Sequence, residues 1–242
     1  MNNKQRLDFF LSRRDQPRMW WFERCAYLPQ IYAALTDEEF DVLAEWFETT
    51  ERERLIGECG VPAMSAMLGF VEGNGIGAIV QCGHYSGYST LMLGWALRRM
   101  GFKRGLFSMD INAKMTDFTR RWVQKAGLEE YVHCEISDSS ERKAALSAYE
   151  YLEGPPQMVF VDSSHQYAHT LAELKLWSAE LEPGGLIFLH DVGEMSVKYD
   201  TTGQGGVLRA VEEFGGACLI NRKEEWQVYQ DGNGLGILQV GG

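Results

Sequence analysis

From residue 78 to residue 190, short apolar runs alternate with longer stretches in which apolar residues recur every three or four positions. The short runs fall at 78–82, 105–110, 131–135, 158–162 and 186–190, and the fourth reads Met-Val-Phe-Val before its closing Asp. Between them, helical segments at 89–100, 113–126, 140–152 and 168–181 stop at Gly101, Gly127, Pro155-Pro156 and Pro183-Gly184-Gly185. Near-continuous apolar strands separated by amphipathic helices belong to a parallel sheet covered on both faces. The tail differs, with a helix at 207–214 and then strand-like stretches at 217–221 and 235–240 joined by a polar loop, the pattern of an antiparallel hairpin on the sheet edge.

Before residue 73 the signals are helical. Thr36-Asp37-Glu38-Glu39 fits a capping box, and Phe40, Leu43, Ala44 and Phe47 then share one helical face. Nothing in this region alternates with period two. The chain therefore reads as a helical layer over residues 1–72 leaning on an α/β unit over residues 73–242.

Composition bounds the partners. Thirty-four acidic against twenty-three basic residues give a net charge of −11, which argues against a surface for phosphate backbones. No apolar run reaches the roughly 18–20 residues that cross a bilayer, and the polar first fifteen residues do not read as a secretory signal. Cys25, Cys59, Cys82, Cys134 and Cys218 are odd in number and widely spaced, as expected of reduced thiols in a cytoplasmic protein. The pattern leaves homo-oligomerisation open.

The unusual polar residues cluster at the carboxyl ends of the expected strands, where open parallel sheets bind ligands. Gly83-His84-Tyr85-Ser86-Gly87-Tyr88-Ser89 follows the first. Its glycines allow tight turns and close backbone approach, and the helix after it offers free N–H groups to a carboxylate. Its spacing is not the Gly-x-Gly-x-x-Gly of dinucleotide binders. Asp110 closes the second strand, placed either to accept from a ribose diol or to cap the next helix. Asp162-Ser163-Ser164-His165 follows the fourth strand and His190-Asp191 the fifth. His165 is the best-placed base, since an unperturbed imidazole titrates at ~6.5. A loop histidine bonded to a neighbouring carbonyl is the plainer alternative. Asp162, His190 and Asp191 could form an oxygen-and-nitrogen cation site or make separate polar contacts.

These landmarks together resemble the class I S-adenosylmethionine-dependent methyltransferases over about residues 75–240. They are most similar to the O-methyltransferase branch of the catechol enzymes and the bacterial macrolide and sugar enzymes (cephalosporin hydroxylase-like). The resemblance rests on the Gly83–Ser89 loop, on Asp110-Ile111-Asn112, on Ser137-Asp138-Ser139, and on Asp162-Ser163-Ser164-His165-Gln166-Tyr167 followed by Pro183-Gly184-Gly185 and His190-Asp191. It implies a Rossmann-like fold, with a mostly parallel seven-stranded sheet and an antiparallel C-terminal edge hairpin. It also implies S-adenosylmethionine contacts from Gln81, Gly83, Tyr85, Gly87, Ser89, Asp110, Ile111, Asp138, Ser139 and Asp162. His165 would be the catalytic base beside Asp162, and Asp162, Asp191 and His190 would hold Mg²⁺ or another divalent cation. Two positions depart from the pattern: Gln81 stands where relatives carry an acidic residue, and Val192 cannot coordinate.

The implied activity is methylation of a small-molecule hydroxyl on a sugar, a phenol or a polyketide-type product. N- or C-methylation without a metal, a nicotinamide oxidoreductase and an inactive binding module remain the alternatives. Met19-Trp20-Trp21-Phe22 and the 193–206 loop are candidates for shaping the acceptor site, although packing of the helical layer on the sheet, or a dimer contact, is the plainer reading of the aromatics.

Overall fold

The computed structural model describes residues 2–22, 27–216, 218–220 and 233–241. Alternation along each strand sends side chains to opposite faces, so an apolar strand feeds two cores at once. In β1 (Ile79–Cys82), Ile79 faces one core while Val80 and Cys82 face the other. β2 (Leu106–Asp110), β3 (Val132–Ile136), β4 (Met158–Val161) and β5 (Leu186–His190) extend the parallel sheet in the order β3-β2-β1-β4-β5.

β6 (Cys218–Ile220) and β7 (Leu235–Gln239) complete the sheet, with β7 antiparallel to β5 and β6 antiparallel to β7. Six strands of four or five residues carry the sheet, and the expected seventh shrinks to a three-residue edge. Most of the polar loop between β6 and β7, residues 221–232, lies outside the described residues, as do Ala217 and Cys25.

On one face lie α4 (Val61–Asn74), α5 (Tyr88–Met100) and α6 (Ala113–Lys125); on the other lie α7 (Arg142–Leu152), α8 (Tyr167–Glu180) and α9 (Gly206–Phe214). α1 (Asn3–Leu11), α2 (Gln30–Ala33) and α3 (Asp37–Glu53) share the first core with α4–α6. The capping box at Thr36 and Glu39 is present and starts α3. Glu39 also holds Arg98 of α5 at 2.6 Å, tying the N-terminal helices to the sheet layer.

Met19, Trp21 and Phe22 are buried in this core, and Trp20 packs at its margin and against Gly60. They pack the helical layer, and none lines the cavity described below. Cys59, Cys82 and Cys134 are all buried, and Cys82 and Cys134 are free thiols. No helix among the described residues is long and apolar enough to cross a membrane.

Strand order reverses between β1 and β4. Loops leaving adjacent strands there diverge to opposite faces and open a crevice at the carboxyl edge.

Candidate active site

The loop after β1 turns sharply because two of its residues adopt left-handed glycine geometry, Gly83 and Gly87, each with φ +89°. A Cβ on Gly83 would stand 2.1 Å from the carbonyl oxygen of Asp162, so the loops after β1 and β4 touch backbone to backbone. Tyr85 lies between the glycines with φ +42°, held there because its N–H donates to Asp110 Oδ2 at 2.9 Å. Asp110 Oδ1 accepts from the Asn112 N–H at 2.8 Å. Capping of α6 falls to Asn112, which accepts from Lys114 and Met115. The Asp110 carboxylate is thus oriented across the crevice instead of closing the helix.

Beneath the loop runs a buried polar network. Gln81 Nε2 donates to Ser89 Oγ at 2.7 Å, and Gln81 Oε1 accepts from Thr90 and Ser108. His84 bridges Ser108 Oγ (3.0 Å) and Thr116 Oγ1 (2.9 Å). Burial lowers its pKa to about 4, against the pull of Asp110, so the ring is neutral at physiological pH. Gln81 is fully buried, with both amide atoms engaged below the cavity floor.

A cavity of about 330 Å³ lies over this network, lined among others by Gly83, Tyr85, Ser89, Asp110, Asp162 and His165. Residues 56–59, in the segment between α3 and α4, close its far side. A second cavity of about 210 Å³ adjoins across Gly83, Asp110 and Ser163, and Ile111, Asp138 and Ser139 line it. Asp138 accepts from the N–H and hydroxyl of Ser140, which holds its pKa down although burial pulls it up. Ser139 and Ser163 both donate to Glu173, which sits fully buried in α8 beside His169. Sequence patterning missed Glu173, because a lone acid within a helix ordinarily faces water.

The loops after β4 and β5 bring four titratable groups together, and two of them, Asp162 and His165, line the larger cavity. His165 Nε2 lies 2.9 Å from Asp191 Oδ2 and 3.5 Å from Asp162 Oδ1. His190 Nδ1 lies 3.2 Å from Asp191 Oδ2 and 3.5 Å from Asp162 Oδ1. Ser196 donates to Asp191 Oδ1 at 2.9 Å. His165 and Asp191 both take left-handed φ values, +57° and +61°, uncommon outside glycine and concentrated where geometry is imposed. Burial would lower the His165 pKa, but hydrogen bonds and charge from Asp162 and Asp191 override it and raise it to about 10. Burial likewise opposes ionisation of Asp191, yet His190 and His165 hold its pKa well below the usual carboxylate range.

Donor atoms of Asp162, His165 and Asp191 lie within 4.8 Å of one another, a set of two carboxylates and an imidazole suited to a divalent cation. His165 joins the two carboxylates in this set, and the expected His190 also stands within 3.5 Å of both. The ring of Tyr199 lies 5.8 Å from that of His165, at the end of a 3₁₀ segment, Glu194–Tyr199. The following loop is fastened by Asp200, whose carboxylate accepts from Thr202, Gln204 and Gly206.

Residues 80–192 match the family model described as a methyltransferase domain. No curated protein matches the chain in sequence. Among solved structures, the chain resembles the Bacillus cereus O-methyltransferase in complex with S-adenosylhomocysteine, at 18% identity and TM-score 0.63, covering 86% of this chain and 92% of that one. The O-methyltransferase TomG of Streptomyces achromogenes, involved in tomaymycin synthesis and bound to S-adenosylmethionine, is 16% identical with TM-score 0.60 over 100% of both chains. An rRNA methylase from Streptococcus thermophilus is 14% identical with TM-score 0.52, covering 73% of this chain and 95% of that one. The shared fold therefore spans different acceptors, and the acceptor must be argued from the site. The domain match lies on the strands and loops that build the crevice, so residues 80–192 carry a methyltransferase domain, on a fold shared with these solved O-methyltransferases.

Proposed function

We propose that the enzyme methylates a hydroxyl of a small molecule such as a sugar, a phenol or a polyketide-type product. Residues 73–242 would bind the cofactor, and the layer of residues 1–72 would border the acceptor. One observation carries this reading: a single cavity is lined by Asp110 and the Gly83 turn and also by Asp162 and His165, which meet Asp191 behind its wall.

S-adenosylmethionine, when bound, supplies an electrophilic methyl carbon and a neutral thioether leaving group. Asp110, already oriented by two backbone N–H groups, would accept from the ribose hydroxyls. Ile111, 73% exposed beside the smaller cavity, offers an apolar face to the adenine ring, and Asp138 and Ser139 offer polar contacts at its edge. Gly83, Tyr85, Gly87 and the first turn of α5 would hold the amino-acid end. Gln81 would act indirectly, by bracing Ser89.

His165 is the residue that would orient and deprotonate the acceptor. With its pKa raised to about 10, the ring carries a proton near neutrality while it faces two bare carboxylates. It becomes a base once those charges are otherwise balanced. A divalent cation held by Asp162 and Asp191, with His190 as third donor, would supply that balance and lower the pKa of an acceptor hydroxyl.

The test is methyl transfer from labelled S-adenosylmethionine to a panel of sugars, phenols and polyketide alcohols, run after chelation and again with Mg²⁺ restored. O-methyl product that depends on His165 supports the assignment. Label found only on nitrogen or carbon, or no transfer to any hydroxyl, contradicts it.

A further inference from the structure

S-adenosylmethionine and its demethylated product both carry an α-ammonium group as well as an α-carboxylate. A cavity that excludes water must match that cation with an acceptor, and a buried unmatched charge is costly. Three carboxylates line the larger cavity: Glu58, Asp110 and Asp162. Asp110 is assigned above to the ribose hydroxyls. Asp162 faces His165 and His190. Gln81 lies beneath the floor and is neutral. That leaves Glu58.

The position of Glu58 fits the amino-acid end. It lines the cavity together with Tyr88 and Ser89, the first residues of α5, where free helical N–H groups suit the α-carboxylate. Gly57 beside it packs on the Tyr85 ring at 3.5 Å from a notional Cβ. The side chain is pre-set. Arg18 Nε donates to Oε1 at 2.6 Å, and the Gly57 N–H donates to Oε2 at 3.2 Å. Arg18 itself is fully buried over the rings of Trp46 and Phe47 and also lies 3.9 Å from Glu51, so Glu58 does not hold that cation alone. A carboxylate has about four acceptor sites, and two are used here. No Lys or Arg lines the cavity to compete.

We propose that Glu58, reaching in from the N-terminal layer, is the positioning residue that pairs with the α-ammonium group of the cofactor. This rests on the cofactor placement proposed above. It gives the helical layer a part in cofactor binding that the sheet alone does not supply.

A thermodynamic cycle tests it with the full-length protein. S-adenosylhomocysteine, its desamino analogue and 5′-methylthioadenosine, which lacks the amino-acid end, are titrated calorimetrically into wild type and Glu58→Gln. A hydrogen-bonded charge pair of this kind is worth roughly 10- to 100-fold in affinity. Glu58→Gln should lose that factor for S-adenosylhomocysteine and bind 5′-methylthioadenosine unchanged. Removing the amino group should cost the unmodified protein the same factor, and the variant nothing more. That comparison on wild type stands even if the variant fails to fold. Equal wild-type affinity for S-adenosylhomocysteine and its desamino analogue overturns the role of Glu58, as does equal weakening of all three ligands by the variant. If wild type binds none of them, the cofactor placement itself fails, and this proposal with it.

Discussion

His165 Nε2 and Asp191 Oδ2 lie 2.9 Å apart, although the two residues leave different strands, β4 and β5. Their contact spans the reacting end of the cavity and unites two loops 26 residues apart in sequence. His165→Ala should lower kcat by about 10²- to 10⁴-fold, the usual contribution of a positioned acid–base group. Affinity for S-adenosylhomocysteine should stay within about twofold, because cofactor contacts are assigned to other residues. Steady-state kinetics beside calorimetry separates the two effects, and a parallel loss of both would give His165 a structural role.

His84 links acid stability to the glycine loop. Its folded pKa of about 4 lies below the unfolded value of ~6.5, so the unfolded chain binds the extra proton first as pH falls. Its contribution is present above pH 6.5 and disappears as pH drops through 4. The loss approaches about 3 kcal/mol over that window. Urea denaturation of wild type and His84→Gln at pH 7 and pH 4.5 should show the pH sensitivity shrinking in the variant. Equal slopes in both would contradict the assignment.

Gly83 permits a contact that no side chain fits. Gly83→Ala adds a Cβ 2.1 Å from the Asp162 carbonyl oxygen at φ +89°, so the loops must separate. The expected cost is about 3 kcal/mol, or roughly 10 °C in Tm for a chain of this length. Gly101 has a similar φ of +81° but opens on empty space, so Gly101→Ala should cost less. Calorimetric scans of the two variants make the comparison.

Glu173 anchors the smaller cavity from behind. Glu173→Gln removes one of the two acceptors that hold Ser139 and Ser163. S-adenosylhomocysteine and 5′-methylthioadenosine should weaken together, by about tenfold, since the loss of one such hydrogen bond is worth ~1–1.5 kcal/mol. Weakening of S-adenosylhomocysteine alone would place Glu173 at the amino-acid end instead.

Much of this was legible in the sequence because the sheet writes itself in apolar runs. Val80, Met109, Val159 and Leu189 each sit in a run that became a strand, and every run ends on the polar edge where the crevice opens. The capping box at Thr36 and Glu39 was equally local. What stayed hidden depends on distant contacts. Gln81 reads as a strand-end ligand until Ser89, Thr90 and Ser108 close around it. His165 reads as a free base until Asp191 arrives from the next strand. Trp21 and Phe22 could be read either as packing or as an acceptor wall, and they pack with Phe10 inside the helical layer. Glu58 carries no motif at all, and only the return of the 56–59 segment over the glycine loop brings it to the cavity.

Asp110 carries the central claim, and calorimetric titration of S-adenosylhomocysteine into wild type and Asp110→Ala tests it most directly. Saturable one-to-one binding is expected for wild type, weakened at least about tenfold in the variant by loss of the charged acceptor for the ribose diol. Absence of binding to wild type, or equal affinity in both proteins, would contradict the account.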